Sequence, residues 1–128
     1  MIGTRISSGS PFEEMAGYAR AVIDNGWVFV SGTAGYDINN KCYPPTVEKQ
    51  AEMAFSIISE ALNKAGTSLD NMVRIRVYVA SQAEFERIKP IIKKYCELAR
   101  PANTTILCDL VEPEMRVEFE VTARIPIP

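Results

Sequence analysis

Two segments of the chain, residues 72–79 and 115–125, alternate apolar and polar side chains along their length. Successive side chains of a β-strand point to opposite faces, so this alternation predicts a sheet with one buried face. The buried face is predicted to carry Val73, Ile75, Val77, Val79, Val117, Phe119, Val121, Ala123 and Ile125. The other face is predicted to carry Met72, Arg74, Arg76, Tyr78, Glu118 and Glu120. Because that face mixes charged with apolar residues, we expect other subunits to pack against it.

Two further segments carry apolar residues at helical spacing. The first is residues 46–65, where Thr46 can cap the first turn and Gly66 can close the last. The second starts after Ser81, which opens a capping-box pattern. Pro90 lies inside this second segment, and a proline in a helix interior costs about 3 kcal/mol. We therefore predict one short turn from residue 82, a break, and a main helix that restarts near Pro90.

The remaining apolar segments read as strands. Residues 19–23 and 27–31 flank Asp24-Asn25-Gly26, a strong signal for a hairpin turn. Residues 104–110 form another strand before the one at 115–125. The order is then β-β-α-β-α-β-β, with room for an extra N-terminal strand. This order predicts one α+β domain over residues 1–128, with a sheet covered on one face by two helices.

Composition limits the partners and the location. The chain has no run of about 18 apolar residues and no apolar signal segment at its N-terminus, which predicts a cytoplasmic protein without a membrane partner. Its net charge is −2, and its predicted pI is about 5.2. Nucleic-acid binding usually needs a basic face, so we expect no nucleic-acid partner.

The chain contains no histidine, which is the commonest general base and metal ligand in proteins. Catalysis by Ser-His-Asp or Cys-His sites within the chain is thereby excluded. The three cysteines, Cys42, Cys96 and Cys108, are widely spaced and form no CxxC pair, which argues against a zinc site. No metal and no organic cofactor is implied. Any catalysis must use carboxylates, hydroxyls, amides, backbone groups and water.

Five sequence blocks, in order along the chain, resemble the RidA/YjgF family of reactive enamine/imine deaminases. They are Ala16-Gly17-Tyr18-Ala19-Arg20-Ala21-Val22, Phe29-Val30-Ser31-Gly32-Thr33, residues 65–73, residues 85–89, and residues 101–125. The resemblance covers nearly the whole chain and implies a chorismate-mutase-like α+β fold. Such folds assemble as homotrimers, in which three mixed β-sheets form a central barrel with the helices outside. Small-molecule ligands are expected in the clefts between the subunits.

The resemblance also assigns candidate site residues. Tyr18, Ser31 and Glu118 fall on family site positions, and the family's glutamate orients the water that attacks the imine carbon. The segment Ser31-Gly32-Thr33 would line the wall of the cleft with hydroxyl and backbone groups. Thr33 stands where the family has glutamine. The resemblance therefore makes Glu118 the catalytic candidate.

Two more positions depart from the family pattern: Lys89 replaces asparagine, and Asn103 replaces the arginine that binds the substrate carboxylate. Loss of a charge-assisted pair removes roughly 1.5–3 kcal/mol of binding, about ten- to hundredfold in affinity. Asn103 suits a neutral amide, carbonyl or hydroxyl better than a carboxylate. Lys89, Arg20 and Arg116 are candidates for a replacement cation.

Several alternatives remain open from the sequence. The leading hypothesis is a hydrolytic enamine/imine deaminase that acts on a divergent substrate rather than on a typical 2-imino acid. A non-catalytic trimer that binds a small metabolite, and a structural subunit of a larger assembly, are the other two. Glu118 could instead pair with Arg74 or Arg76, Glu120 is predicted to be structural, and Asn103 could be an ordinary turn residue.

Overall fold

The computed structural model describes residues 1–128 and contains one six-stranded sheet and three α-helices. The strands are β1 (Thr4–Ile6), β2 (Ala21–Asp24), β3 (Trp27–Thr33), β4 (Met72–Val79), β5 (Ala102–Leu107) and β6 (Val117–Arg124). The helices are α1 (Pro11–Ala16), α2 (Val47–Lys64) and α3 (Gln82–Cys96), with a 3-10 turn at Leu69–Asn71. The sheet order is β1-β2-β3-β6-β4-β5, and only β4 and β5 are parallel. The predicted α+β fold is confirmed.

Helices α2 and α3 pack on one face of the sheet and enclose a core of 21 buried residues. The alternation predicted for β6 is confirmed, since Val117, Phe119, Val121 and Ala123 are all buried. The ring of Phe55 in α2 lies 4.5 Å from that of Phe119, centroid to centroid. This packing fixes β6 beneath α2, so the polar residues between its apolar ones must point to the other face.

The alternation predicted for the start of β4 is wrong by one residue. Met72 is buried with 3% exposure, whereas Val73 is 41% exposed. The pairing of β4 with β6 shifts register between Met72 and Arg74, which indicates a β-bulge. A bulge adds one residue to a strand, so it reverses which side chains point inward. From Ile75 onward the predicted faces are correct.

The predicted break in the second helix is also wrong. Helix α3 runs without interruption from Gln82 to Cys96, with Pro90 inside it. Pro90 lies on the exposed side, where water can hydrogen-bond the carbonyl that its missing N–H leaves free. Ile88 is fully buried against the core, and this tertiary packing outweighs the local penalty of the proline.

Helix α1 was not predicted, although its signals are present in the sequence. The Ser10 hydroxyl accepts a hydrogen bond from Phe12 N at 3.2 Å, and Pro11 occupies the first helical position. Gly17 closes the helix with a φ of 75°, a conformation that glycine adopts without strain. The strand β1, which the sequence left as an option, precedes this helix.

The sheet face opposite α2 and α3 carries the predicted mixture of polar and apolar residues. Arg76 and Glu120 form an ion pair of 3.3 Å, and the Tyr78 hydroxyl donates to Glu120 at 3.0 Å. Phe29 is 49% exposed on its strand. None of the helices combines the length and the apolar composition needed to cross a membrane.

Candidate functional site

A cavity of about 470 Å³ opens where β3 ends and β6 begins. Its floor is polar and contains Arg20, Gly32, Thr33 and Glu118. Helix α1, the loop that follows β3 and the segment that precedes β6 build its walls. The cavity is the size of a small-molecule site and combines a largely apolar lining with a few polar groups at one end.

The walls of the cavity are mainly aromatic and aliphatic. Phe12 meets Tyr36 edge to face with ring centroids 4.9 Å apart, and Tyr36 meets Tyr43 in the same way at 5.2 Å. Met15 and Met115 add flexible apolar surface. Burial raises the pKa of Tyr43 to about 12, helped by the charges of nearby glutamates, so its hydroxyl stays protonated at neutral pH. The walls therefore suit a ligand with an apolar body.

Glu118 projects from β6 into the polar end of the cavity and makes no hydrogen bond or ion pair within the chain. Arg76, one of the partners considered for it, pairs with Glu120 instead. Burial raises the pKa of Glu118 above its ordinary value; the positive charge of Arg20 opposes this shift and Glu120 adds to it. A carboxylate without a partner, with a raised pKa, has the properties of a general base.

Gly32 gives Glu118 the space that its carboxylate occupies. A Cβ atom added at Gly32 would lie 2.5 Å from Oε1 of Glu118 and 2.9 Å from its carboxyl carbon. These distances are far shorter than a van der Waals contact, so any other residue at position 32 must displace the carboxylate. The backbone of β3 thus sets the position of Glu118.

Gly32→Ala is expected to reduce any reaction that depends on Glu118 by about ten- to hundredfold, because it moves the carboxylate by roughly an ångström. Ammonia release from an imine substrate measures this effect. In a protein that already carries Glu118→Gln, Gly32→Ala should cause little further loss of the rate of ammonia release. A full second loss in the double variant would show that Gly32 acts independently of Glu118.

Arg20 is the cation of the cavity, and it is held rigidly. Its Nε donates to Glu13 at 3.3 Å, while Nη1 donates to the Gly32 carbonyl and the Thr33 hydroxyl, both at 2.9 Å. Both charged side chains are only 6% exposed. Burial alone would raise the pKa of Glu13, but hydrogen bonds from Ser8, the charge of Arg20 and a hydrogen bond from Ser7 bring it below its ordinary value. Glu13 is therefore ionised and fully engaged.

The structure brings four of the predicted site residues together at the cavity: Tyr18, Gly32, Thr33 and Glu118. The Arg20 guanidinium carbon lies 5.5 Å from the centroid of the Tyr18 ring. The Thr33 hydroxyl is buried and fully used, since it accepts from Arg20 and donates to the Ser31 carbonyl at 2.7 Å. Ser31 faces a neighbouring cleft and donates its hydroxyl to the Ala19 carbonyl at 2.6 Å.

Lys89 and Asn103 lie outside the cavity of the same chain. Lys89 is exposed on α3, where its ammonium pairs with Glu86 at 2.8 Å. Asn103 is exposed inside β5 rather than in a turn, and its amide oxygen accepts from the Thr105 hydroxyl at 2.9 Å. Arg116 is bound to Glu84 and does not line the cavity. Of the candidate replacement cations, only Arg20 lines it.

Sequence reasoning missed the residues that build the apolar walls and Glu13, the partner of Arg20. The Ser10-Pro11 helix start was the available signal for Phe12 and Glu13. Tyr36 and Tyr43 are aromatic residues inside an otherwise polar loop, a signal that was not used. No three His, Cys, Asp or Glu side chains are grouped as a metal site requires.

The family model described as Endoribonuclease L-PSP matches residues 9–125. This range contains β2 to β6 and every residue of the polar floor. The chain belongs to the YjgF/RidA family. The predicted family resemblance is thereby confirmed.

Two relatives place the chain within the YjgF/RidA family. The crystal structure of Rv2704 from Mycobacterium tuberculosis, a member of the YjgF/YER057c/UK114 family, superimposes with a TM-score of 0.85 at 31% identity, covering 94% of this chain and 98% of that one. The 2-iminobutanoate/2-iminopropanoate deaminase of Bos taurus is 28% identical over 107 residues, which are 83% of this chain and 78% of the bovine protein.

A yeast relative shows that members of the family occur in an organelle. Protein MMF1, mitochondrial, of Saccharomyces cerevisiae is 28% identical over 108 residues, which are 84% of this chain and 74% of the yeast protein. The predicted cytoplasmic location of this chain therefore stays a prediction.

Proposed function

We propose that the chain is a hydrolytic enamine/imine deaminase that acts on a divergent substrate in the cavity between β3 and β6. The observation that carries the proposal is Glu118, a carboxylate without a partner at the polar end of an apolar cavity. The bovine relative, a 2-iminobutanoate/2-iminopropanoate deaminase, supports the reaction class. The reaction adds water to a C=N bond and releases ammonia.

In this proposal Glu118 accepts a proton from the attacking water as the oxygen bonds to the imine carbon. Glu118 then passes this proton to the nitrogen. The new hydroxyl gives its proton to the nitrogen as the C–N bond breaks, and a ketone and ammonia leave. Tyr18 covers one side of the polar end, and Gly32 keeps Glu118 in place. Thr33 acts indirectly, because its hydroxyl holds Arg20.

In this proposal Asn103 and Lys89 can act only on the cavity of a neighbouring copy of the chain. Neither lines the cavity from its own chain, and the sheet face beside the cavity leaves Phe29 and Val73 exposed. A homotrimer that covers this face would bring the β5 edge of one copy toward the cavity of the next. Asn103 would then hold a neutral oxygen or amide of the substrate, and Ser31 would face the border between the copies.

A non-catalytic small-metabolite-binding trimer is the alternative function. The observation that favours it is Asn103, which supplies no charge where the family has its carboxylate-binding arginine. A ligand that binds tightly and remains chemically unchanged after long incubation supports this alternative. Ammonia release above the spontaneous rate excludes it.

The deciding experiment measures ammonia release from imines generated in the cuvette by an amino-acid oxidase, with the protein present or absent. Alanine gives 2-iminopropanoate, and phenylalanine gives an imine with a large apolar side chain. We expect a greater acceleration for the larger imine, because the cavity walls are aromatic. Equal rates with and without the protein for every imine would contradict a deaminase.

A further inference from the structure

We propose that Arg20 is the anion-binding residue of the cavity. The location of this anion site rests on the proposed function. It takes the role that Asn103 cannot fill. The preferred ligand class is then an imine or enamine that carries a carboxylate at one end and an aromatic or branched apolar group at the other.

Arg20 does not use all of its N–H donors within the chain. A guanidinium has five of them. The Nε donor is bound to Glu13, and Nη1 serves the Gly32 carbonyl and the Thr33 hydroxyl. Nη2 has no partner in the chain. It is also not fully buried, because only one buried side-chain polar atom lacks a hydrogen-bond partner, and that atom is Nε of Arg124. Two donors of Arg20 are therefore free.

The free donors of Arg20 are directed toward the cavity. Arg20 is 5% exposed and lines the cavity, but it does not line the adjoining cleft that Glu13 and Ser31 share. What remains accessible of the guanidinium therefore faces the cavity. Its fork geometry matches a carboxylate, which can accept from Nη2 in a charge-assisted hydrogen bond.

Arg20 and Glu118 lie near each other but are not paired. The positive charge of Arg20 acts to lower the pKa of Glu118 against the larger effect of burial, yet the two side chains form no ion pair within 4.0 Å. Both line the same cavity, so a ligand in it can reach both groups. In a 2-imino acid the carboxylate is bonded directly to the imine carbon, so binding it at Arg20 brings the reacting carbon toward Glu118.

Glu13 cancels the formal charge of Arg20 but does not face the ligand space. The Glu13 carboxylate is turned away from the ligand space by hydrogen bonds from Ser7, Ser8 and Arg20. It does not line the cavity, whereas Arg20 does. A ligand in the cavity thus meets N–H donors from Arg20 and no carboxylate oxygen from Glu13. The site therefore favours an anion because of the direction of these donors, although the net charge of the pair is zero.

The test uses two stable probes, 3-phenyl-2-oxopropanoate and its neutral amide, with dissociation constants measured by calorimetry. The native protein is expected to prefer the carboxylate. Because Arg20→Gln alone would leave Glu13 buried without its partner, the informative variant is Arg20→Gln combined with Glu13→Gln. It should bind the carboxylate roughly ten- to hundredfold more weakly and the amide within about threefold of the native value.

Two controls separate anion binding from a structural role of the pair. Glu13→Gln alone keeps the cation and should retain the preference for the carboxylate, whereas Arg87→Gln removes an exposed arginine on α3 and should change neither affinity. Unchanged carboxylate affinity in the double variant, an equal loss for both probes, or no binding of either probe to the native protein overturns the inference. Carboxylate binding through Arg20 without ammonia release would overturn the proposed function alone.

Discussion

Glu118→Gln is expected to slow ammonia release by roughly 10²- to 10⁴-fold, because glutamine cannot accept the proton of the attacking water. The amide fills the same volume beside Gly32, so the geometry of the cavity is preserved. The native rate should fall as the pH is lowered through the raised pKa of Glu118, since protonation removes the base. The residual rate of the variant should lack this acidic limb. A steady-state assay between about pH 4 and 9 measures both effects.

The stability of Glu118→Gln separates loss of chemistry from loss of fold. Because the pKa of Glu118 is raised in the folded state, its contribution to stability is present below the unfolded pKa and is lost as the pH rises through the folded pKa. At neutral pH the variant should therefore be at least as stable as the native protein. Glu120→Gln is the matched control, because Glu120 pairs with Arg76 and Tyr78 outside the cavity. A similar loss of rate in this control would contradict the assignment.

Gln50→Leu is expected to lower the free energy of unfolding by roughly 3 kcal/mol, since it removes three hydrogen bonds to part-buried backbone groups at about 1 kcal/mol each. Gln50 is 2% exposed, and its Nε2 donates to the carbonyls of Pro44 and Glu114 at 2.9 and 2.8 Å. Its Oε1 accepts from the backbone N–H of Arg116 at 2.8 Å. The Gln50 side chain therefore connects α2 to the loop that follows β3 and to the segment that precedes β6, which both line the cavity. Urea denaturation measures the loss.

The other glutamine of the chain, Gln82, provides the matched control for this prediction. Gln82 is exposed at the start of α3, so Gln82→Leu should change the free energy of unfolding by less than about 0.5 kcal/mol. If Gln50→Leu unfolded at the same urea concentration as the native protein, water would have replaced the three hydrogen bonds. The two loops would then be held by their apolar contacts alone.

Most of the fold could be predicted because its signals are local. The period of the apolar residues gave α2 and β6, and the Asn25-Gly26 turn gave the hairpin of β2 and β3. The bulge at Met72 could not be predicted, because it arises from pairing with a distant strand. The continuity of α3 through Pro90 depends likewise on packing that no local pattern shows.

The candidate site was predictable only where a family block fixed the position of a residue. Glu118 was found in this way, and the structure places it in a cavity. The placement of Arg20 depends on the register of the β2–β3 hairpin, which brings the Gly32 carbonyl to its guanidinium, and on α1, which supplies Glu13. Neither follows from the sequence around Arg20. The role proposed for Asn103 would depend on contacts between copies of the chain, which the structure of one chain does not contain.

The position of β6 between β3 and β4 has a consequence for how the protein is made. Without β6 the sheet is two separate parts, β1-β2-β3 and β4-β5, because no other strand joins them. A ribosome completes β6 last of the six strands, so the core cannot close while the earlier strands emerge. Gly32 is on one part and Glu118 is on β6, so the candidate site cannot form before β6 joins the sheet. A nascent chain that stalls before β6 therefore exposes the apolar side of its strands and lacks Glu118.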